Sequence, residues 1–272
     1  MCRMLGCVSK ERTDLRHELL DAPNPLVRQS EKHDSGWGVA VYDFGEGDEP
    51  ACMRFPEAPH ADDFEVATEM RGRVFNAHVR RASVGGLAPE NTHPFCLAEY
   101  SFCHNGTLFD YPRLLEPGVR KPAGCTDSEV FFNYLLRDYD CDDPVGSLRR
   151  SITAVVERTR FSGLNFLFAD GERLYAYRLG LFELHWLTRP GQLLVASERV
   201  TDEPWHDVRQ DVLLVCDPKD PAEEPHAERL VGDEVVARAQ IEKLEEGSDL
   251  RGRERGEFAA RRAARLADTG VA

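Results

Sequence analysis

The sequence predicts an α+β fold with largely antiparallel sheet. Short apolar segments bounded by turn residues occupy both ends of the chain, and two longer segments with helical periodicity lie between them. Strands grouped around a helical middle, instead of alternating with helices one by one, are typical of α+β proteins. The 272 residues, 42% hydrophobic and 30% charged, have an ordinary globular composition and suffice for one sizeable core.

The first half of the chain predicts five strands and two short helices. Residues 2–8, 74–79 and 100–103 form short apolar strands, and residues 37–44 and 51–55 flank a glycine-rich turn that favours a hairpin. Residues 14–20 form a brief helix before two prolines, and apolar residues from 64 to 70 recur at helical spacing. The strand predicted at 100–103 ends at His104-Asn105-Gly106.

The second half predicts two helices and then five strands. Thr126 and Glu129 have capping-box spacing, which begins a helix that runs to about residue 139, and a second helix covers residues 145–160. Strands are predicted at 164–169, 174–178, 182–187, 193–197 and 212–216. We therefore expect a domain over residues 2–216.

A charged extension over residues 217–272 follows, and it holds 14 acidic and 10 basic side chains. Residues 232–246 and 257–266 have helical patterns, so the extension is predicted to be helical. Three arrangements are open: it packs on the domain, it mediates a homodimer, or it stays solvated.

The composition excludes several classes of function. A net charge of −14 argues against nucleic-acid partners and anionic membranes, which need a basic surface. The longest apolar runs fall short of the ~18 residues of a membrane span, and the N-terminus lacks a secretory signal. The eight cysteines form no C-x-x-C pair and have no zinc-like spacing with histidine. We expect a cytoplasmic protein without a metal site.

Cys2 has the most unusual position of the eight cysteines. Removal of Met1, which is common before a small residue, would leave a thiol and a free α-amine on one residue. The amine titrates near pH 8 and the thiol near 8.5, so the amine can accept the thiol proton and activate the nucleophile. Position alone does not separate this role from that of an ordinary thiol.

Three further motifs supply groups that acyl transfer needs. Asn105 and Gly106 follow a strand and can aim two N–H donors at one oxyanion, although Asn-Gly is also a common turn. Arg80 or Arg81 stands where a strand enters a glycine-rich loop, either as a fork for a carboxylate or as a surface pair. Asp127 begins the capping-box helix, where it complements the helix dipole or holds a substrate ammonium.

Together these motifs resemble the class II glutamine amidotransferases of the N-terminal-nucleophile hydrolase superfamily. The resemblance is carried, in one order, by Met1-Cys2-Arg3, Asp34-Ser35-Gly36-Trp37-Gly38, His78-Val79-Arg80, Asn91-Thr92-His93-Pro94-Phe95, His104-Asn105-Gly106, Thr126-Asp127-Ser128-Glu129 and Ala196-Ser197-Glu198. It implies a four-layer α/β/β/α sandwich and no cofactor. It also implies that Cys2 is the nucleophile and that Asn105 and Gly106 form the oxyanion hole.

The resemblance further implies how a glutamyl group is held. Arg80 would bind its α-carboxylate, Asp127 its α-ammonium, and Ser83 would donate where the family has threonine. Synthase-linked members have roughly the sequence Arg-Trp-Ala-Thr-His-Gly at the position of residues 80–85 of this chain. Here Arg81 replaces the tryptophan and Val84 replaces the histidine. The chain therefore resembles the stand-alone branch, which includes γ-glutamyl amidohydrolases of ergothioneine biosynthesis and glutathione degradation.

We therefore expect an enzyme whose partner is a small-molecule γ-glutamyl substrate, either glutamine or a conjugate, cleaved through a Cys2 thioester. The extension is too short for a synthase domain, which favours a conjugate or plain hydrolysis. Two alternatives remain open: a glutaminase subunit that delivers ammonia to a separate synthase partner, and a non-catalytic regulatory subunit with the same fold.

Overall fold

The computed structural model describes residues 2–43, 49–57, 61–221 and 224–242. Within them, five α-helices accompany two large sheets, and every strand pairing in the two sheets is antiparallel. The predicted α+β class is confirmed. No helix of the described ranges is long and apolar enough to cross a bilayer.

The elements have the following bounds. The strands are β1 (Arg3–Thr13), β2 (Trp37–Tyr42), β3 (Ala51–Phe55), β4 (Gly72–Val79), β5 (Phe95–Leu97), β6 (Tyr100–Asn105), β7 (Arg160–Phe161), β8 (Asn165–Ala169), β9 (Leu174–Arg178), β10 (His185–Arg189), β11 (Gln192–Ala196), β12 (His206–Asp207), β13 (Val212–Cys216), β14 (His226–Arg229) and β15 (Gln240–Ile241). The helices are α1 (Leu26–Ser30), α2 (Ala61–Thr68), α3 (Asp127–Arg137), α4 (Pro144–Arg158) and α5 (Asp233–Arg238). Single turns of tighter or wider helix lie at His17–Asp21, Pro89–Asn91 and Tyr111–Leu114.

The two large sheets stack between two helical layers. The first sheet has the order β12-β10-β11-β1-β4-β2-β3 and the second the order β14-β13-β9-β8-β6-β5. One apolar cluster joins the first sheet to α1 and α2, a second lies between the sheets, and a third joins the second sheet to α3 and α4. This is the four-layer sandwich that the resemblance implies.

Strand β1 shows how the layers follow from the sequence. Leu5 and Cys7 belong to the cluster beneath α1 and α2, whereas Met4 and Val8 belong to the cluster between the sheets, as the two-residue period of a strand requires. A Cβ atom on Gly6 would lie 2.6 Å from Leu174 Cδ2. The absence of a side chain at Gly6 therefore lets the two sheets approach next to the N-terminal segment.

Helix α3 begins where the capping-box spacing predicts. The Thr126 hydroxyl accepts a hydrogen bond from the Glu129 N–H at 3.1 Å. The Glu129 carboxylate does not return to Thr126; it accepts the N–H groups of Ala123 and Gly124, both at 2.7 Å. The motif therefore fixes both the helix start and the preceding loop, and so the position of Asp127.

The described part of the extension is not purely helical, which corrects the sequence prediction. Strand β14 pairs with β13, and β15 runs parallel to β7. Helix α5 is shorter than the predicted 232–246 helix, because Ala239 is extended and leads into β15. The described part packs on the domain, the boundary at residue 216 stays a prediction, and the helix predicted at 257–266 lies outside the described residues.

Candidate active site

The ends of four elements meet at one place and bring the predicted site residues together. Cys2 directly precedes β1, and Arg80 directly follows β4, the neighbour of β1 in the first sheet. Asn105 ends β6 in the opposite sheet, and Asp127 begins α3. A contact of 3.3 Å between His78 Nε2 and the His104 carbonyl oxygen joins the two sheets beside these ends.

The Cys2 thiol lies against the backbone that follows Arg80. Its Sγ accepts the Arg81 N–H at 3.4 Å and lies 3.6 Å from the Arg81 carbonyl oxygen. Burial raises the pKa of Cys2, while the nearby charge of Arg80 lowers it and that of Asp127 raises it. A thiol with a raised pKa stays protonated near pH 7, so it needs a base to become a nucleophile.

Two N–H donors are left unused at the end of β6. The Asn105 side chain and the Gly106 N–H donate to no described residue, although Asn105 is buried. The next two N–H groups are occupied: that of Thr107 binds Ser162 Oγ at 3.0 Å and that of Leu108 binds Asp127 Oδ2 at 2.8 Å. The free pair is adjacent in the chain and is suited to a developing oxyanion.

Packing requires glycine at position 106. A Cβ atom there would lie 1.9 Å from the Gly163 carbonyl oxygen, a backbone atom that cannot yield easily. The same oxygen lies 3.1 Å from His104 Nε2, and His104 Nδ1 lies 2.9 Å from Ser128 Oγ. Burial lowers the pKa of His104 to about 4, so its neutral ring joins β6, Gly163 and the start of α3.

Arg80 is enclosed, with 2% of its surface exposed, whereas Arg81 is exposed, which distinguishes the two candidates. The Arg80 guanidinium donates to four carbonyl oxygens, those of Ser35 (3.4 Å), Gly86 (3.1 Å), Val84 (2.7 Å) and Gly85 (3.5 Å). A carboxylate that approaches the two terminal nitrogens of Arg80 has to replace some of these carbonyls. The carboxylate-binding role stays a prediction.

The loop around Arg80 is tied to the rest of the site on two sides. Ser83 Oγ lies 3.1 Å from Thr107 Oγ1, beside the two free donors. Asn91 donates to the Gly86 carbonyl at 3.1 Å and accepts the Cys125 N–H at 2.9 Å. The loop, the end of β6 and the start of α3 therefore form one hydrogen-bonded unit.

Asp127 is buried, and its carboxylate titrates unusually high. Burial raises the pKa of Asp127 to about 6, although hydrogen bonds from backbone N–H groups and the charge of Arg80 both lower it. The carboxylate is therefore mostly ionised at pH 7, and about half of it is protonated near pH 6. Such a group can bind a cation, which in turn compensates for its burial.

The comparison with known families agrees with this geometry. The sequence profile of the family described as class II glutamine amidotransferases matches residues 1–192. The chain belongs to this family of enzymes. Its match includes the ends of β1, β4 and β6 and the start of α3, and therefore all the predicted site residues.

Two relatives show how far the likeness extends. The chain is 34% identical over 201 residues to an uncharacterized protein of Methanocaldococcus jannaschii, a match of 70% of this chain and 54% of that protein. It is 30% identical over 215 residues to YafJ of Escherichia coli, provisionally named a glutamine amidotransferase, a match of 72% of this chain and 80% of YafJ. The chain thus spans about half the length of the first relative and most of the second.

Solved structures share the fold at low sequence identity. A glutamine aminotransferase class-II domain protein from Silicibacter pomeroyi aligns with a TM-score of 0.58 and 23% identity over 85% of this chain and 100% of that chain. The glutamine phosphoribosylpyrophosphate amidotransferase of B. subtilis aligns with a TM-score of 0.63 and 17% identity over 85% of this chain and 50% of that chain. The chain therefore has their sandwich architecture.

The backbone beside Cys2 is held by contacts that the motifs did not predict. Met4 N–H donates to Ser197 Oγ at 2.9 Å, and Ser197 N–H donates to the Met4 carbonyl at 3.0 Å. The Arg3 guanidinium pairs with Glu198 and donates to the Cys2 carbonyl at 3.2 Å. These contacts fix the start of β1, and the position of Ala196-Ser197-Glu198 among the family motifs was the only signal for them.

Proposed function

We propose that this amidotransferase hydrolyses a γ-glutamyl amide and releases glutamate together with an amine or ammonia. One observation carries the proposal: the Cys2 thiol shares a site with Arg80, Asp127 and two unused N–H donors. Acyl transfer requires a nucleophile, groups that hold the acyl portion, and donors for the oxyanion. The four sets of residues can supply these three functions, and the thiol needs in addition a base for its proton.

The proton on the Cys2 thiol must be removed before attack. Burial raises the pKa of Cys2, so the thiolate is scarce at neutral pH. Cleavage of the peptide bond that precedes Cys2 would free an α-amine, which titrates near pH 8 and lies on the same residue. We propose this amine as the base, as in enzymes with an N-terminal nucleophile.

The glutamyl group is proposed to bind through its two charged α-groups. Its α-carboxylate replaces the two longest contacts of Arg80, those with the carbonyls of Ser35 and Gly85 at 3.4 and 3.5 Å. Ser83 donates to the same carboxylate. The ionised Asp127 binds the α-ammonium. The attraction between the carboxylate and the ammonium offsets the cost of removing the ammonium from water.

The thiolate then attacks the γ-carbonyl carbon. Negative charge develops on the carbonyl oxygen, where the Asn105 amide and the Gly106 N–H donate to it. The ammonium of Cys2 returns its proton to the leaving amine, which departs and leaves a thioester. Water then attacks the thioester, and glutamate and the free thiol are formed.

A panel of substrates tests this proposal. Glutamine, γ-glutamyl dipeptides and γ-glutamyl thio-histidine compounds are compared with the α-linked isomer of one dipeptide, and glutamate release is measured. Only in the γ-linked compounds does the glutamyl residue itself keep both a free α-carboxylate and a free α-ammonium. We expect glutamate from γ-linked substrates and none from the α-linked isomer.

The panel also separates the alternatives. A higher kcat/KM for a conjugate than for glutamine supports the stand-alone hydrolase, while a strong preference for glutamine would favour a subunit that supplies ammonia to a synthase. Equal cleavage of the α-linked isomer contradicts the proposed clamp. Absence of glutamate release from every compound contradicts the hydrolase proposal and leaves the regulatory subunit.

The proposal makes a specific prediction for pH dependence. Loss of one proton from the Cys2 thiol–amine pair gives log kcat/KM a slope of one on its acid side. The pKa of Asp127 is raised to about 6, so its carboxylate becomes neutral below that pH and loses the substrate ammonium. The slope should therefore steepen towards two below pH 6.

The variant Asp127→Asn is the matched control, because it removes the second ionisation and retains the shape. Its kcat/KM should be lower at pH 7 and should fall with a slope of only one below pH 6. Protonation of Asp127 does not itself unfold the chain, since protonation of a carboxyl whose pKa is raised on folding favours the folded state. Burial lowers the pKa of His78 to about 3 and that of His104 to about 4, so acid disfavours the fold there, and the thermal unfolding midpoint is measured at each pH to separate the two effects. A slope of one in the unmodified enzyme down to pH 5 would contradict the role of Asp127.

A further inference from the structure

Two cysteines outside the active site lie together where the edges of the two large sheets meet. Cys52 is in β3, the edge strand of the first sheet, and Cys96 is in β5, the edge strand of the second. The sulfur of Cys52 lies 4.0 Å from the Pro94 carbonyl oxygen, and that of Cys96 lies 3.8 Å from the same atom. One carbonyl oxygen therefore contacts both thiols.

The backbone around this pair is closely packed. A Cβ atom on Gly38 in β2 would lie 2.5 Å from the carbonyl oxygens of both Met53 and His93. The missing side chain thus lets the segment before β5 approach the strand that holds Cys52. The proximity of the thiols follows from this packing of sheet edges as well as from side-chain rotamers.

The two thiols differ in character. Cys52 is exposed and Cys96 half-buried, and both are free. The neighbouring Cys96 thiol and the charge of Arg54 lower the pKa of Cys52, whereas the neighbouring Cys52 thiol and burial raise the pKa of Cys96. An exposed thiol with a lowered pKa beside a second thiol is the arrangement of oxidisable cysteine pairs.

We propose that Cys52 and Cys96 are a thiol modification site that forms a reversible disulfide on reaction with low-molecular-weight disulfides. The Cys52 thiolate attacks the oxidant, forms a mixed disulfide and releases one small thiol. The Cys96 thiol then gives its proton to solvent, attacks the Cys52 sulfur and releases the second small thiol. The two cysteines are oxidised, one disulfide of the oxidant is reduced to two thiols, and β3 becomes bonded to β5.

Peptide mapping of the full chain after treatment with oxidised glutathione tests the proposal. Trypsin places Cys52 in residues 33–54 and Cys96 in residues 82–113. We expect these peptides to become cross-linked, with the loss of two hydrogen atoms, and to separate on reduction. Because Cys103 shares the second peptide, Cys96→Ser assigns the bond.

Three variants determine the order of steps. Cys52→Ser should prevent the cross-link, and Cys96→Ser should stop at a mixed disulfide with glutathione on residue 52. Cys141→Ser, which removes another exposed thiol, should form the cross-link as the natural chain does. Separate modification of residues 52 and 96 in the natural chain, or a cross-link that persists in Cys96→Ser, would overturn the proposal.

Thermal unfolding gives a second measurement. A bond between the two sheet edges should raise the midpoint of unfolding of the oxidised chain, and reduction should restore the original value. Cys96→Ser should show no such rise. An unchanged midpoint in a cross-linked natural chain would contradict the stapling of the two edges. The result is independent of the hydrolase proposal, since neither thiol belongs to the proposed catalytic site.

Discussion

Replacing Cys2 with alanine should reduce hydrolysis of γ-glutamyl substrates by about 10⁴-fold or more. The proposed mechanism has no second nucleophile. The proposed base, the α-amine of residue 2, has no thiol to deprotonate once the side chain is alanine. Among the described residues, the thiol forms hydrogen bonds with the Arg81 backbone alone, and Cys2 belongs to no apolar cluster, so alanine leaves these clusters unchanged. Turnover under saturating substrate and the thermal unfolding midpoint are measured together.

The matched control is Cys141→Ala, which removes an exposed thiol in the connection between α3 and α4. It should retain full turnover. Cys2→Ala should also retain the unfolding midpoint of the natural chain within a few degrees. Turnover of Cys2→Ala above one-hundredth of the natural rate would exclude Cys2 as the nucleophile.

Asn105→Ala should lower kcat by about 10²–10³-fold, or about 3 kcal/mol of barrier, while KM changes little. The Asn105 amide donates to no described residue, so its donor function is expected mainly in the transition state. A loss confined to kcat is the signature of a contact made after substrate binding.

The isosteric variant Asn105→Asp separates donor loss from packing. It retains the size of the side chain but replaces the amide donor with an acceptor, so it should be at least as damaging as alanine. A variant that has the same thermal unfolding midpoint as the natural chain but a lower kcat supports the oxyanion role. A loss of kcat below about tenfold in both variants would assign Asn105 to the turn alone.

Much of the fold was predictable because its signals are local. Thr126 and Glu129 fixed the start of α3 through contacts within one helical turn. Turn residues and apolar segments located most strands, including Leu174–Arg178 and Val212–Cys216 at their predicted bounds. The stacking of the two sheets could be predicted only from the family resemblance, because the apolar pattern of a strand does not show to which sheet the strand belongs.

The corrections concern contacts between distant residues. Strand β14 forms because the edge of β13 is available, and Asp211 accepts the N–H groups of Val231 and Gly232 at 2.9 Å each. Neither condition can be read from the charged composition of the extension. Local pattern alone therefore favoured helix there.

The same limit applies to the site. The motifs identified Cys2, Asn105 and Asp127 as candidates, because each motif pairs a suitable group with the end of an element. They did not reveal that four loop carbonyls surround Arg80. Nor did they reveal that Gly106 is needed for contact with Gly163, since that contact joins residues 57 positions apart.

Mass spectrometry of the acyl-enzyme tests the central claim most directly. The enzyme is mixed with a γ-glutamyl substrate, quenched in acid during turnover and digested, and the N-terminal peptide is weighed. The account predicts a peptide that begins at Cys2 and carries one glutamyl group as a thioester, which hydroxylamine releases. A catalytically active chain that retains Met1, or a glutamyl group on any residue other than Cys2, would contradict it.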